Sequence, residues 1–345
     1  MIKKTVQDLK EVDAFQVNDQ RLFSATHEEI SSGLTTDIYF IRTRELLRHL
    51  GLDRTRVTAE IFSGKPGILA GIDEAKILLQ GLPIEVWALP EGTEFKEKQV
   101  IMRITGAYDD FGIYETSLLG ILASSSGWAT AARRCREAAG KHRMISFGAR
   151  HVHPAVAPVM ERAAIIGGAD GASCILGAKL AGQNPAGTVP HAVMLIVGDT
   201  LEVAQTYQRI MPPEAPVIVL VDTFKDEAEE ALRVANNMGA KLQGIRLDTP
   251  SERGGVTPGL VKEVKARLQQ AGHGHVKIFV SGGVTPERIT LLIEAGADSF
   301  GVGSYISGAP AIDMTMDIKE IDGRPIAKRG RIPGITESAG LVKII

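Results

Sequence analysis

The stretch VKIFVSGGVTPERITLLIEAGADSFGVGS, residues 276–304, decides the fold. An apolar β-type run, Val276–Val280, meets a glycine-rich turn at Ser281–Gly283. Thr285–Pro286 then starts a helix: a capping threonine precedes a proline at the first helical position, where the missing N–H costs nothing. The helix runs over Pro286–Ala295 and returns to a second β-type run, Ser299–Val302, with another glycine turn at Gly301–Ser304. A strand, a helix and a strand in this order make a parallel pair with a crossover.

The same rhythm extends backwards to Gly140. Further β-type runs fall at Met144–Phe147, Ser173–Leu176, Val189–Leu195, Val217–Val221 and Leu242–Leu247. Helical stretches fall at Pro154–Gly167, Asp199–Ile210, Asp226–Met238 and Pro258–Ala271. Seven parallel strands, each ending in a polar or glycine-rich loop, imply an incomplete α/β barrel rather than an open doubly wound sheet. The first third reads differently. A helix over Ile38–Leu50 precedes short β-type runs (TAEIF, IEVWALP, QVIMRITG) broken by KPG, GLP and PEG turns. A long helix over Tyr114–Ala139 connects the parts, with Gly140 as its C-cap. Near the end, MTMDIKEIDGRPIAKRG alternates around Asp322–Gly323, a hairpin signal. We therefore expect a smaller N-terminal mixed α/β domain, 1–112, joined by the C-terminal hairpin in 312–345, and a barrel domain, 113–311.

Composition narrows the function. The 345 residues carry 39 basic and 41 acidic side chains, a net charge of −2, which leaves no cationic excess for nucleic acid. Two cysteines, Cys135 and Cys174, are too few for a disulfide framework. No apolar run reaches the roughly 18 residues of a membrane span, and MIKKTVQDLKEVDAFQ turns polar before a signal core could form. A cytoplasmic protein without nucleic-acid or membrane partners is expected.

Chemistry gathers at the carboxyl ends of parallel barrel strands. That rim reads FGARHVHP (147–154), GTVPH (187–191), VDTF (221–224), RLDT (246–249), VSGGV (280–284) and GVGS (301–304). The glycine turns at Ser281, Gly282 and Gly283 and at Gly301, Gly303 and Ser304 expose backbone N–H groups that suit a phosphate. Arg150 and Arg246 offer guanidinium forks for carboxylate or phosphate, or salt bridges to Asp222 or Asp248. Those two aspartates could hold ribose hydroxyls, Mg²⁺ or an arginine, and the bipolar rim suits an anionic sugar phosphate. His151 and His153 could instead ligate zinc in a metal-dependent barrel hydrolase, but such a site needs later ligands. Of the later histidines, His273 and His275 precede a strand at the opposite face, and His191 stands beside a rim turn.

These residues together resemble the nicotinate phosphoribosyltransferase family, within the group that includes the quinolinate and nicotinamide enzymes. The resemblance runs from TDIYF (36–40) to KRGRIPG (328–334) through SGWATAARR (126–134), FGAR, GGADGAS (167–173), GTVPH, VDTF, RLDT, SGGV and FGVGS. It implies formation of nicotinate mononucleotide and pyrophosphate from nicotinate and phosphoribosyl pyrophosphate in NAD biosynthesis, coupled to ATP hydrolysis, by a homodimer or higher homo-oligomer. Tyr39 would enter a neighbouring subunit's site, and Phe147 would stack on the pyridine ring. Arg150 and Arg246 would hold the carboxylate and the pyrophosphate. Asp222 and Asp248 would face ribose and Mg²⁺, with Asp248, Arg246 and His191 as the catalytic group. Ser281–Gly283 and Gly301–Ser304 would cradle the 5′-phosphate, with Lys328 as charge partner. His191 matches the histidine that takes a phosphoryl group from ATP, and Gly187 and Thr188 leave room for it. Quinolinate phosphoribosyltransferase is the nearest alternative; its TRKT-type basic loop is not found, the corresponding region reading MISFGARHVHP.

Overall fold

The structure is a computed structural model that describes residues 5–17 and 21–345; the first four residues of the charged amino-terminal stretch lie outside them. The chain forms two compact units, residues 1–130 with 310–345, and residues 131–309.

The first unit begins its sheet with β1 (Arg56–Ser63), β3 (Glu85–Ala88) and β5 (Val100–Ala107), while β2 (Gly67–Ile68) and β4 (Glu94–Phe95) form a small separate pair. Inward positions of these strands, among them Ile61, Val86, Met102 and Ile104, are fully buried with Phe95, Phe111 and Tyr114 in one apolar core. The helix Ile38–His49 lays Ile41 into that core and leaves Tyr39 on its outer face.

The second unit is built on parallel strands β6 (Arg143–Ser146), β7 (Gly171–Ala172), β8 (Ile218–Leu220), β9 (Gly244–Leu247), β10 (Lys277–Val280) and β11 (Ser299–Val302). They pair in the order β7-β6-β11-β10-β9-β8, and the edge strands β7 and β8 do not meet, so the barrel is not closed. Their side chains are buried on both faces, as helix-covered parallel strands require. Helices start where the capping residues stand: Asp199, Asp226, Thr257 and Thr285 each accept a backbone N–H in the first turn.

Two expected strands are corrected. Val189–Leu195 is not a strand; His191–Val197 is a helix, capped by Pro190 in front and by Gly198 at φ 87° behind. An apolar run of this length fits either state, and the flanking proline and left-handed glycine choose the helix. The missing strand would have stood between β7 and β8, so its loss leaves six strands and the opening. Over Ser173–Leu176 the strand lies two residues earlier, at Gly171–Ala172, and a helix already runs over Ile175–Leu180.

The carboxyl-terminal residues return to the first unit. β12 (Met314–Ile321) pairs antiparallel with β1 along its whole length and turns through Asp322 and Gly323 into β13 (Arg324–Pro325). Both turn residues have positive φ, 47° and 73°, the type I′ geometry that the Asp-Gly pair favours. β14 (Val342–Lys343) completes the order β13-β12-β1-β5-β3-β14.

Candidate active site

The carboxyl ends of the parallel strands surround a cavity of about 380 Å³. It is lined by Phe147, Arg150, Thr188, His191, Arg246 and Asp248, and by the glycine turns at Ser281–Gly283 and Gly301–Ser304. The fold therefore brings residues spread over more than 150 positions onto one surface.

Arg246 anchors it. Its Nε donates to Ser281 Oγ at 2.8 Å, Nη1 to Thr188 Oγ1 at 2.9 Å and Nη2 to Asp248 Oδ2 at 3.1 Å. Its guanidinium lies 5.2 Å from the centre of the Phe147 ring. Burial pulls the Arg246 pKa down, while Asp248 and Asp222 pull it back up and the nearby Arg150 opposes them. Ser281 passes the order on, donating to Asp248 Oδ1 at 2.9 Å.

Asp222 sits behind His191. Its carboxylate is almost fully buried, and neither oxygen has a hydrogen-bond partner. His191 Nε2 stands 3.6 Å from Asp222 and 3.9 Å from Asp248, beyond hydrogen-bond reach, while Nδ1 lies 3.1 Å from Thr223 Oγ1. Burial pushes the Asp222 carboxyl above its usual range, opposed by His191. An orphaned buried carboxylate is costly and marks a place for a cation or a hydroxyl donor.

The glycines do different work on the two turns. Gly282 and Gly283 have φ of 85° and 60°, which glycine tolerates, and a Cβ at Gly282 would stand 2.9 Å from Asp248 Oδ1. Gly301 is instead required by packing, since a Cβ there would meet the Phe147 ring at 2.5 Å. At Gly303 a Cβ would meet His151 Cε1 at 2.8 Å. Those two glycines were expected to cradle phosphate; what the structure places against them is the aromatic side chains of Phe147 and His151.

Other expected residues are placed elsewhere. Tyr39 and Lys328 belong to the first unit and do not line the cavity. Tyr39 is half-exposed beside Phe40, and Lys328 pairs with Asp317 at 2.8 Å. The zinc alternative finds no support. His151 Nδ1 is 3.2 Å from Ser307 Oγ, and His153 Nδ1 accepts the N–H of Ala155. His273 and His275 face Asn236 and the Gly239 carbonyl, and among the described residues no group of three or more His, Cys, Asp or Glu side chains is placed to hold a metal. No helix among the described residues is long and apolar enough to cross a membrane. Sequence reasoning missed Ser173, which lines the cavity, and Glu161, which lies beneath it. The available signal for Glu161 was an acid within the apolar helix APVMERAAII.

A parallel α/β sheet whose strand ends carry glycine turns, guanidinium groups and carboxylates around one cavity has the architecture of a phosphoribosyltransferase. Residues 37–126 match the model of the quinolinate phosphoribosyl transferase N-terminal domain, and residues 128–317 match that of its C-terminal domain; the chain belongs to this family. A crystal structure of nicotinate-nucleotide pyrophosphorylase from Pyrococcus furiosus is 44% identical, superimposes with a TM-score of 0.88, and is covered over 82% of its length by 92% of this chain. A "probable nicotinate-nucleotide pyrophosphorylase [carboxylating]" of Archaeoglobus fulgidus is 27% identical over 76% of this chain and 94% of its own. A nicotinate phosphoribosyltransferase of Mycobacterium tuberculosis is 29% identical over 69% of this chain but only 52% of its own, so the chain spans about half the length of that relative.

These matches correct the expected activity. The family domains and the 44% identical structure point to the quinolinate enzyme, not to an ATP-coupled nicotinate phosphoribosyltransferase. The expected phosphohistidine at His191 and the ATP co-substrate belonged to that reaction and fall with it. In place of a TRKT-type loop, the cavity lining carries Arg150 and Arg246.

Proposed function

We propose that the chain is a quinolinate phosphoribosyltransferase, converting quinolinate and phosphoribosyl pyrophosphate into nicotinate mononucleotide, pyrophosphate and carbon dioxide. The observation that carries this reading is the convergence of Arg150, Arg246 and the Ser281–Gly283 turn on one cavity. Two guanidinium groups beside an aromatic ring can answer the two carboxylates of a flat pyridine, and the turn can take a phosphate. The 44% identity to a nicotinate-nucleotide pyrophosphorylase supports it.

The pyridine nitrogen carries no proton at neutral pH, so it displaces pyrophosphate without a general base. The sugar becomes oxocarbenium-like, and the protein's work is to align the partners and stabilise separated charge. Asp222 and Asp248 face that charge from one side. They also fit a share in Mg²⁺ carried by the pyrophosphate, since this ion takes one or two carboxylates with substrate phosphates and water; it would neutralise the departing group. His191, between the two aspartates, suits a pyrophosphate oxygen. After the bond to ribose forms, loss of the neighbouring carboxylate leaves an electron pair beside the cationic nitrogen, and a proton then replaces carbon dioxide.

Offering quinolinate, nicotinate and nicotinamide in parallel, without ATP, tests the reading. Carbon dioxide and nicotinate mononucleotide should form from quinolinate alone. Turnover of nicotinate with quinolinate inert would overturn it.

A further inference from the structure

Glu161 lies in the helix Ala157–Ile166, is fully buried, and is absent from the cavity lining. Four donors nevertheless converge on its carboxylate. Oε1 accepts from Ser146 Oγ at 3.3 Å, from the Gly148 N–H at 3.1 Å and from Ser173 Oγ at 3.1 Å. Oε2 accepts from the Cys174 N–H at 2.5 Å. Ser146 ends β6 and Gly148 follows in the next loop, so the two flank Phe147, and Ser173 and Cys174 follow β7. One side chain thus binds both loops from below.

We propose that Glu161 is a positioning residue that holds Phe147 and Arg150 in the geometry that receives the pyridine ring. The substrate named here rests on the function proposed above, whereas the clamp itself rests on the hydrogen bonds. A carboxylate is required at this place. Each of its oxygens faces a backbone N–H, so an amide would set a donor against a donor on one side. Burying a charge without a full set of donors is expensive, and the four donors offset that cost only while both loops keep their positions. Gly148 tightens the arrangement, because a Cβ there would meet Met160 Cε at 2.7 Å and Ser307 Cβ at 3.0 Å. The phosphate turn at Ser281–Gly283 does not depend on Glu161, and its order comes from Arg246 and Asp248.

The test compares Glu161→Gln with Ser146→Ala, which removes one buried neutral donor and leaves both backbone amides paired. With quinolinate and phosphoribosyl pyrophosphate varied separately, Glu161→Gln should raise the KM for quinolinate by about 10- to 100-fold. The KM for phosphoribosyl pyrophosphate should stay within about two-fold, and Ser146→Ala should shift quinolinate in the same direction by about two- to three-fold. Hydrogen exchange at the Gly148 and Cys174 amides should quicken in Glu161→Gln, with the β9 and β10 amides unchanged. A general loss, with kcat falling in step with the folded fraction and both KM values unchanged, would overturn the proposal, as would unaltered kinetics and exchange. If the wild type does not use quinolinate, the functional reading fails by itself. The clamp is then decided by exchange alone: local quickening supports it, and its absence overturns it.

Discussion

Arg246 stacks its guanidinium 5.2 Å from the centre of the Phe147 ring while giving its three nitrogens to Ser281, Thr188 and Asp248. Phe147 also has Phe279 at 5.7 Å between ring centres, so the ring is held by an aromatic neighbour and a cation. A planar fork can satisfy three partners and a ring face together, and a lysine ammonium cannot. Arg246→Lys should therefore lower kcat/KM by roughly 100-fold, the equivalent of about 3 kcal/mol of lost transition-state stabilisation. Steady-state kinetics checks this, and a change below about threefold would show that only the charge matters.

Asp222 should trade stability for activity. Its carboxyl is pushed up chiefly by burial, and its oxygens lack partners in the free protein. A raised folded-state pKa means that the favourable contribution is present below the unfolded pKa, near 4, and is lost as pH rises through the folded value. Asp222→Asn should then raise Tm at pH 7 by about 2–4 °C, with the gain shrinking towards pH 4, while turnover falls at least about 100-fold. Thermal denaturation at the two pH values decides the stability half of the claim.

Glu115 offers the same logic away from the cavity. Burial first, then Asp317, pushes its carboxyl up to about 7, with Lys328 acting in the opposite direction. Its ionisation should destabilise the first unit as pH rises through about 7. Glu115→Gln should unfold at a higher temperature than the wild type at pH 8 and at a similar temperature at pH 4, below the carboxyl's ordinary value in the unfolded chain. Equal Tm differences at the two pH values would remove the carboxyl from this role.

Gly301 separates the two subsites. A Cβ there would press on the Phe147 ring at 2.5 Å, whereas Gly282 and Gly283 are constrained by positive φ. Gly301→Ala should raise the KM for the pyridine substrate by about tenfold and that for phosphoribosyl pyrophosphate by much less, because the ring must shift or the strand must give. Gly283→Val should do the reverse, its side chain blocking the backbone approach of phosphate. Isothermal titration of each ligand against each variant would show whether the effects cross in this way.

Tyr39 and Lys328 stand outside the cavity lining, in the first unit. If they complete a neighbouring subunit's site, an inactive Tyr39→Ala protein mixed with an inactive Arg246→Ala protein should regain part of the activity through hybrid oligomers. A fully active monomer in sedimentation analysis would rule this out.

Local chemistry is legible in the chain itself. The helix starts at Thr257 and Thr285, the Asp322–Gly323 turn and the parallel βαβ order all follow from neighbours in sequence, because caps, φ preferences and periodicity act over a few residues. Rim residues such as Arg246, Asp248 and the glycine turns were legible for the same reason: each stands at the end of an apolar run or just after it. Tertiary structure alone decided what depends on distant neighbours. The run after Pro190 became a helix and left the barrel open, a choice that its apolar composition could not make. Gly301 proved to be room for Phe147, more than 150 residues away. Asp222 is buried without a hydrogen bond to its carboxylate, and Glu161 meets donors after two strands that only folding brings together. Periodicity sorts side chains into inside and outside, but which buried groups touch, and which stay unpaired, is set by packing across the whole sheet.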